Sequence, residues 1–181
     1  MTEYELGRLY GLRLSARPMF FVGFAWIWAA LALIGVGALG LSALEAIVGG
    51  LLGAALHYAS ELWHHLGHAW AARRAGHPMI GARFGYLLGT MAVSIYPPNE
   101  GDLPARVHIR RALGGPLANL LLALLALPLT LALQSSGGLI YALALWLFLE
   151  NLVIYTLQAI VPLGFNDGTT LWTWWRKQRT H

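Results

Sequence analysis

The residues best suited to chemistry lie in the middle of one apolar segment. Four ionisable residues are spaced by four, three and four positions, and they are His57, Glu61, His64 and His68. On a helix of about 3.6 residues per turn this spacing predicts a single polar face, with His65 on its flank. Ionisable groups inside an apolar helix are expensive and normally mark a functional site. The alternative is a buried polar seam that only holds helices together. Two imidazoles at i and i+4 can close on one metal ion, so the pair His64 and His68 favours a metal site.

A third ligand and a hydrogen-bonding group are available elsewhere in the chain. Zinc in catalytic sites takes three protein ligands and keeps one position open. Asp167 follows the last apolar segment and is the candidate third ligand. Asn119 lies one turn inside another apolar segment that opens with Gly-Gly-Pro. Its side chain is able to hydrogen-bond either a ligand residue or the backbone of a substrate.

Composition identifies the medium that surrounds these residues. Of the 181 residues, 57% are hydrophobic and 11% are charged, against about 25% charged in soluble domains. The sequence therefore predicts an integral membrane protein whose partner is the lipid bilayer. The absence of cysteine excludes disulfides and thiolate metal sites. The net charge of +4 comes from short basic groups beside apolar runs, a pattern of membrane orientation, and we expect no nucleic-acid binding.

Apolar runs predict the elements that position the site. A membrane-spanning helix needs about 20 apolar residues, and four segments qualify, at about 18–44, 51–73, 114–133 and 138–163. We therefore expect an all-α integral membrane protein, with residues 1–181 forming a single membrane-embedded domain.

The basic residues predict the orientation of these helices. All 12 Lys and Arg residues lie before the first span, between the second and third, or after the fourth. Positive residues stay in the cytoplasm, so both termini and the middle loop are expected there, in a cell (inner) membrane. The second and fourth helices then run inward. This direction brings His64, His68 and Asp167 to the same depth, near the cytoplasmic face.

Three polar or mixed stretches lead to further expectations. Residues 80–96 alternate β-formers with glycine and predict a short hairpin in the cytoplasmic loop. Residues 4–17 either lie on the membrane surface or form a solvated segment. Glu150 and Asn151, inside the last span, either pair with the His57 end of the stripe or satisfy each other, and we expect the second.

These motifs together resemble the site-2 protease family of intramembrane zinc metalloproteases. The matching segments are 64–69 (HHLGHA), 115–119 (GPLAN) and 162–168 (PLGFNDG), in the order and spacing of the family. The resemblance covers residues 51 to 170 approximately. This stretch contains no PDZ-like insertion, so the chain resembles a minimal member of the family.

The resemblance implies a function for each matching residue. His64, His68 and Asp167 would bind zinc, and Asn119 would lie beside the substrate. The substrate would be a transmembrane peptide or protein that is cleaved near the cytoplasmic face.

One position departs from the family pattern. The family has glutamate directly after its first histidine, where it takes a proton from zinc-bound water, and this chain has His65. A neutral imidazole is able to act as a base. Glu61, one turn before His64, is either a substitute base or a group that orients a ligand imidazole, and we favour the orienting role. A metallopeptidase is therefore the leading hypothesis. A catalytically inactive metal-binding pseudoprotease that binds membrane segments is the alternative, and a metal transporter is third.

Overall fold

The computed structural model describes residues 2–179. Within that range, four helices are long and apolar enough to cross a membrane. They are α1 (Met19–Gly37), α2 (Ala43–Arg74), α3 (Ala105–Leu133) and α4 (Gly138–Leu149), which continues through a π-helical segment (Glu150–Thr156) and a 3-10 turn (Leu157–Ile160). A short helix, α5 (Asp167–Arg179), follows. The predicted four-span membrane protein is confirmed. The single-domain prediction covers 1–181, of which Met1, Thr180 and His181 lie outside the described residues, and it stays a prediction.

Two helices extend beyond the apolar runs that predicted them. α2 begins at Ala43 because Ser42 and Glu45 form a capping box, in which Ser42 N donates to Glu45 Oε2 at 2.9 Å. α3 begins at Ala105. Its first turns carry arginines, so they lie outside the apolar run that predicted this helix. One of these arginines, Arg111, is buried and paired with Glu100, and this ion pair compensates its charge.

The central helix is α2, which packs against both α1 and α3. Its contact with α3 is closest where Gly67 meets Gly114, because a Cβ atom added to either glycine would collide with the carbonyl group of the other. Small residues allow this backbone-to-backbone approach in membranes. The close crossing places the His64–His68 face of α2 directly against the start of α3.

A sheet covers one end of α2. In the described part of the chain it has four strands in the order β1 (Tyr4–Leu9), β2 (Leu12–Ala16), β3 (Gly81–Tyr86) and β4 (Met91–Ile95). The predicted loop hairpin is confirmed as β3 and β4, which pair antiparallel. Residues 4–17 form the antiparallel pair β1–β2, which was not predicted from the sequence, and β2 adds in parallel to β3 with Leu14 opposite Ala82. Whether this segment lies on the membrane surface or in solvent stays a prediction.

The sheet is attached to the helices through buried side chains. Phe84 and Ala92 pack with Tyr58 of α2 and Ile27 of α1 in one apolar cluster. On the other side, Leu12, Met79 and Ala82 pack against Ala72 in α2. These contacts fix β4, an edge strand, alongside the ionisable stripe of α2.

Candidate metal centre

Three predicted ligand residues converge at one point. The Nε2 atoms of His64 and His68 are 2.9 Å apart. Asp167 Oδ2 lies 3.0 Å from the first of them and 3.4 Å from the second. Both imidazoles are buried, and the three residues form a group whose ligand atoms all lie within 4.8 Å of one another. The structure thus brings together residues from the second helix and from the far end of the chain.

The hydrogen bond that each Nδ1 atom makes determines whether the Nε2 atom of the same ring carries a lone pair or a proton. His64 Nδ1 donates to Asn119 Oδ1 at 2.9 Å, and His68 Nδ1 donates to the carbonyl oxygen of Arg111 at 2.7 Å. In these neutral tautomers each Nε2 atom has a lone pair rather than a proton. Two lone pairs and a carboxylate oxygen therefore face one another, and a cation satisfies all of them at once.

The spacing of the three atoms fits a small tetrahedral metal ion. Ligand bonds of about 2.0–2.1 Å in tetrahedral geometry place ligand atoms roughly 3.3–3.4 Å apart. The shortest separation in the cluster is 2.9 Å, so the side chains need to part by only a few tenths of an ångström. Two imidazole nitrogens and one carboxylate oxygen are also one of the donor sets that catalytic zinc sites use.

Asn119 lies at the back of the His64 ring rather than on an open surface. It is fully buried, and its Nδ2 atom donates to Asn151 Oδ1 at 2.6 Å and to the Ser60 carbonyl at 3.3 Å. This position orients the His64 imidazole. The substrate-binding role expected for Asn119 stays a prediction.

Asp167 is the first residue of α5 and is held in place by the turn that precedes it. Asn166 Nδ2 donates to the carbonyls of Gln158 and Val161, both at 2.8 Å, and its Oδ1 accepts from Thr169 N at 3.1 Å. Burial raises the pKa of the Asp167 carboxyl, and the His68 and His64 imidazoles, when protonated, lower that pKa below its usual range. A cation bound between neutral imidazoles would favour the ionised carboxylate in the same way, because metal ligands bind in their deprotonated form.

His65 lies beside the three-residue group. Its ring centroid is 5.7 Å from those of both His64 and His68. Its Nδ1 atom is 3.1 Å from Ser94 Oγ in β4, and its Nε2 atom is 3.4 Å from Glu61 Oε1. Both ring nitrogens thus face groups outside the metal cluster.

Glu61 is held by the sheet and contacts His65. Its Oε1 atom accepts a hydrogen bond from Ala92 N at 2.6 Å, and its side chain is buried. The sequence favours Glu61 as the group that orients His64 or His68. In the structure the side chain of Asn119 and the carbonyl of Arg111 contact those two rings, and Glu61 lies beside His65 instead.

A second buried polar group lies nearer the amino-terminal end of α2, about two turns before His64. Glu150 pairs with His57 Nδ1, while His57 Nε2 contacts the Thr90 carbonyl at 2.8 Å. Asn151 instead bonds Asn119 and Ser60. The expectation that Glu150 and Asn151 satisfy each other is therefore wrong, because successive residues of a helix point in different directions.

We compared the sequence with known protein families and the structure with solved structures. The sequence matches no family model and no curated protein. The structure is similar to that of a site-2 protease from Methanocaldococcus jannaschii, with a TM-score of 0.64 over 98% of this chain and 73% of that chain. The two proteins share a fold. Their sequence identity is 17%, so the likeness concerns the fold alone, and the roles of individual residues depend on the geometry described above.

Proposed function

We propose that this chain is an intramembrane zinc metallopeptidase that cleaves membrane-embedded peptides. The observation that carries the proposal is the convergence of His64 Nε2, His68 Nε2 and Asp167 Oδ2, with both imidazoles already oriented from behind. His64, His68 and Asp167 would hold the metal. The chemistry that zinc supplies in such sites is polarisation of the substrate carbonyl and activation of a water molecule.

Proton transfer would fall to His65, supported by Glu61. Glu61 is fixed by the Ala92 N–H group and faces one nitrogen of the ring. A carboxylate on one side of an imidazole orients the ring and stabilises its protonated form. Its other nitrogen is 3.1 Å from the Ser94 hydroxyl, which can both accept and donate a hydrogen bond. His65 would thus receive the proton that hydrolysis releases and return it to the leaving amine.

The metal site is tested before activity. Purified wild-type protein is expected to contain about one zinc ion per chain by elemental analysis, since three ligands converge on one position. His68→Ala or Asp167→Ala should remove most of it. His77→Ala, which changes a histidine outside the cluster, serves as the matched control and should retain zinc. Wild-type zinc content in the double variant His64→Ala/His68→Ala would place the site elsewhere.

Activity is tested with single-span peptides in detergent. Cleavage should occur with zinc, stop with a chelator and return when zinc is restored. Cleavage that is unaffected by the chelator, in protein shown to have lost its zinc, would contradict the proposal.

One observation favours a second function, that of a metal-binding pseudoprotease that binds membrane segments. Neither nitrogen of His65 contacts the His64–His68–Asp167 group: Nδ1 is 3.1 Å from Ser94 Oγ, and Nε2, which has no hydrogen-bond partner among the described residues, lies 3.4 Å from Glu61 Oε1. A base needs a nitrogen within hydrogen-bond reach of the proton it takes. Zinc-loaded protein that binds single-span peptides without cleaving any of them would establish this second function.

A further inference from the structure

An apolar groove lies on the outer side of the α2–α3 crossing, next to the metal centre but separate from it. Its volume is about 810 Å³. Small residues at the crossing leave space between larger side chains from both helices. The small residues are Gly67, Gly114 and Ala118, and the flanking ones include Trp63 and Leu117.

One end of the groove is strongly basic. Arg73 and Arg74 form the last turn of α2, and Arg110 lies near the start of α3. All three side chains are exposed, and among the described residues that line the groove none is acidic. Arg73 is anchored to the Tyr10 carbonyl at 3.1 Å. The groove thus combines an apolar length with concentrated positive charge at one end.

We propose that this groove binds one anionic phospholipid, with the phosphate between Arg74 and Arg110 and an acyl chain along the α2–α3 crossing. Basic pockets between membrane helices bind anionic head groups in this way. The charge of the lining favours a lipid over a transmembrane helix. An apolar helix has no group to pair with the arginines at the basic end, whereas an anionic phospholipid presents a phosphate next to an acyl chain.

Tryptophan fluorescence of the full chain tests the proposal directly, because Trp63 and Trp70 line the groove. Protein in neutral detergent is titrated with brominated phosphatidylglycerol or with brominated phosphatidylcholine of the same acyl chains. We expect saturable quenching by phosphatidylglycerol at concentrations at least tenfold below those needed for phosphatidylcholine. Arg74→Gln/Arg110→Gln should weaken phosphatidylglycerol binding roughly 30-fold, since each basic residue at an anionic surface contributes a factor of about five.

Two controls separate this site from general surface charge. Arg106→Gln/Arg176→Gln removes two exposed arginines that do not line the groove, and it should leave the lipid preference intact. Trp63→Phe/Trp70→Phe should abolish the high-affinity quenching while native mass spectrometry still detects bound phosphatidylglycerol.

The outcomes that overturn the proposal are equally defined. They are equal affinity for the two lipids, an undiminished preference in Arg74→Gln/Arg110→Gln, and an equal loss in both arginine pairs. Displacement of the lipid by a single-span neutral peptide would assign the groove to a protein segment instead. None of these measurements depends on whether the metal centre hydrolyses peptides.

Discussion

Gly115→Ala should disable the metal centre without altering a ligand. A Cβ atom at this position would lie 2.5 Å from His64 Nε2 and 2.5 Å from His68 Nε2. Ordinary contacts between such atoms are about 3.5 Å or longer, so both ring nitrogens must move by about 1 Å. Metal–ligand distances tolerate about 0.2 Å. Because the displacement is several times that tolerance and affects two proposed ligands, we expect zinc affinity to fall by about 100-fold, the upper end of the range for changes that misplace ligands.

The measurement is a competition titration of zinc against a chromophoric chelator, with wild-type and variant protein in the same detergent. Alanine is a better helix former than glycine by up to about 1 kcal/mol, so α3 itself should persist, which circular dichroism checks. Gly37→Ala is the matched control, since a Cβ atom there meets nothing within 4 Å. Wild-type zinc affinity in a folded Gly115→Ala protein would refute the assignment of these two nitrogens as ligands.

Three further predictions address the base, the topology and a supporting ion pair. His65→Glu should raise peptide cleavage about tenfold or more, because general-base catalysis contributes roughly 10²–10⁴-fold; a zinc-loaded variant no more active than wild type on several substrates contradicts this. Cysteines at Ser136 and Gln178 should label from opposite membrane sides, and labelling from one side would end the four-span topology. The Arg111 guanidinium holds the pKa of Glu100 below its usual range. Glu100→Gln should therefore reduce the free energy of unfolding at pH 7 by about 1 kcal/mol. That difference should be present above the unfolded-state pKa of about 4.3 and should vanish as pH falls through the lower folded-state value; a difference that persists in acid would contradict the ion-pair explanation.

The sequence predicted what depends on local pattern and on the membrane. The four spans followed from apolar runs, and the β3–β4 hairpin followed from its composition. Asp167 was expected near His64 and His68 because the second and fourth of four successive spans run in the same direction, which places their carboxyl ends on the same side of the membrane. The first two features need no knowledge of how distant segments pack, and the third needs only the number of spans.

The first hairpin was missed although its signals are present. A turn at Tyr10–Gly11, where both residues have positive φ, is followed by Leu12, Leu14 and Ala16, which alternate with polar residues as in a half-buried strand. A basic strip before a membrane helix is also typical of a surface segment. The deciding interaction was the parallel pairing of β2 with β3, which joins residues far apart in sequence and leaves no local pattern.

The supports of the metal ligands were the least predictable part. The group that orients His68 is the main-chain carbonyl of Arg111, and a backbone oxygen has no residue-type signature. Asn166 is visible in the sequence, but its function depends on the path of the chain after Ile160, where Gln158 and Val161 present their carbonyls.

The proposed metal ligands and the proposed base are held by different parts of the fold. The His64 and His68 imidazoles are oriented from α3, by Asn119 and by the Arg111 carbonyl. His65 is held from the sheet side, by Ser94 and by Glu61, which is itself fixed to β4. A substitution at position 65 therefore changes contacts with β4 and leaves the α3 supports of the ligands unchanged. Under the proposed function, this separation would allow the His64–His68–Asp167 geometry to persist whichever residue stands at position 65, so zinc content and cleavage must be measured independently.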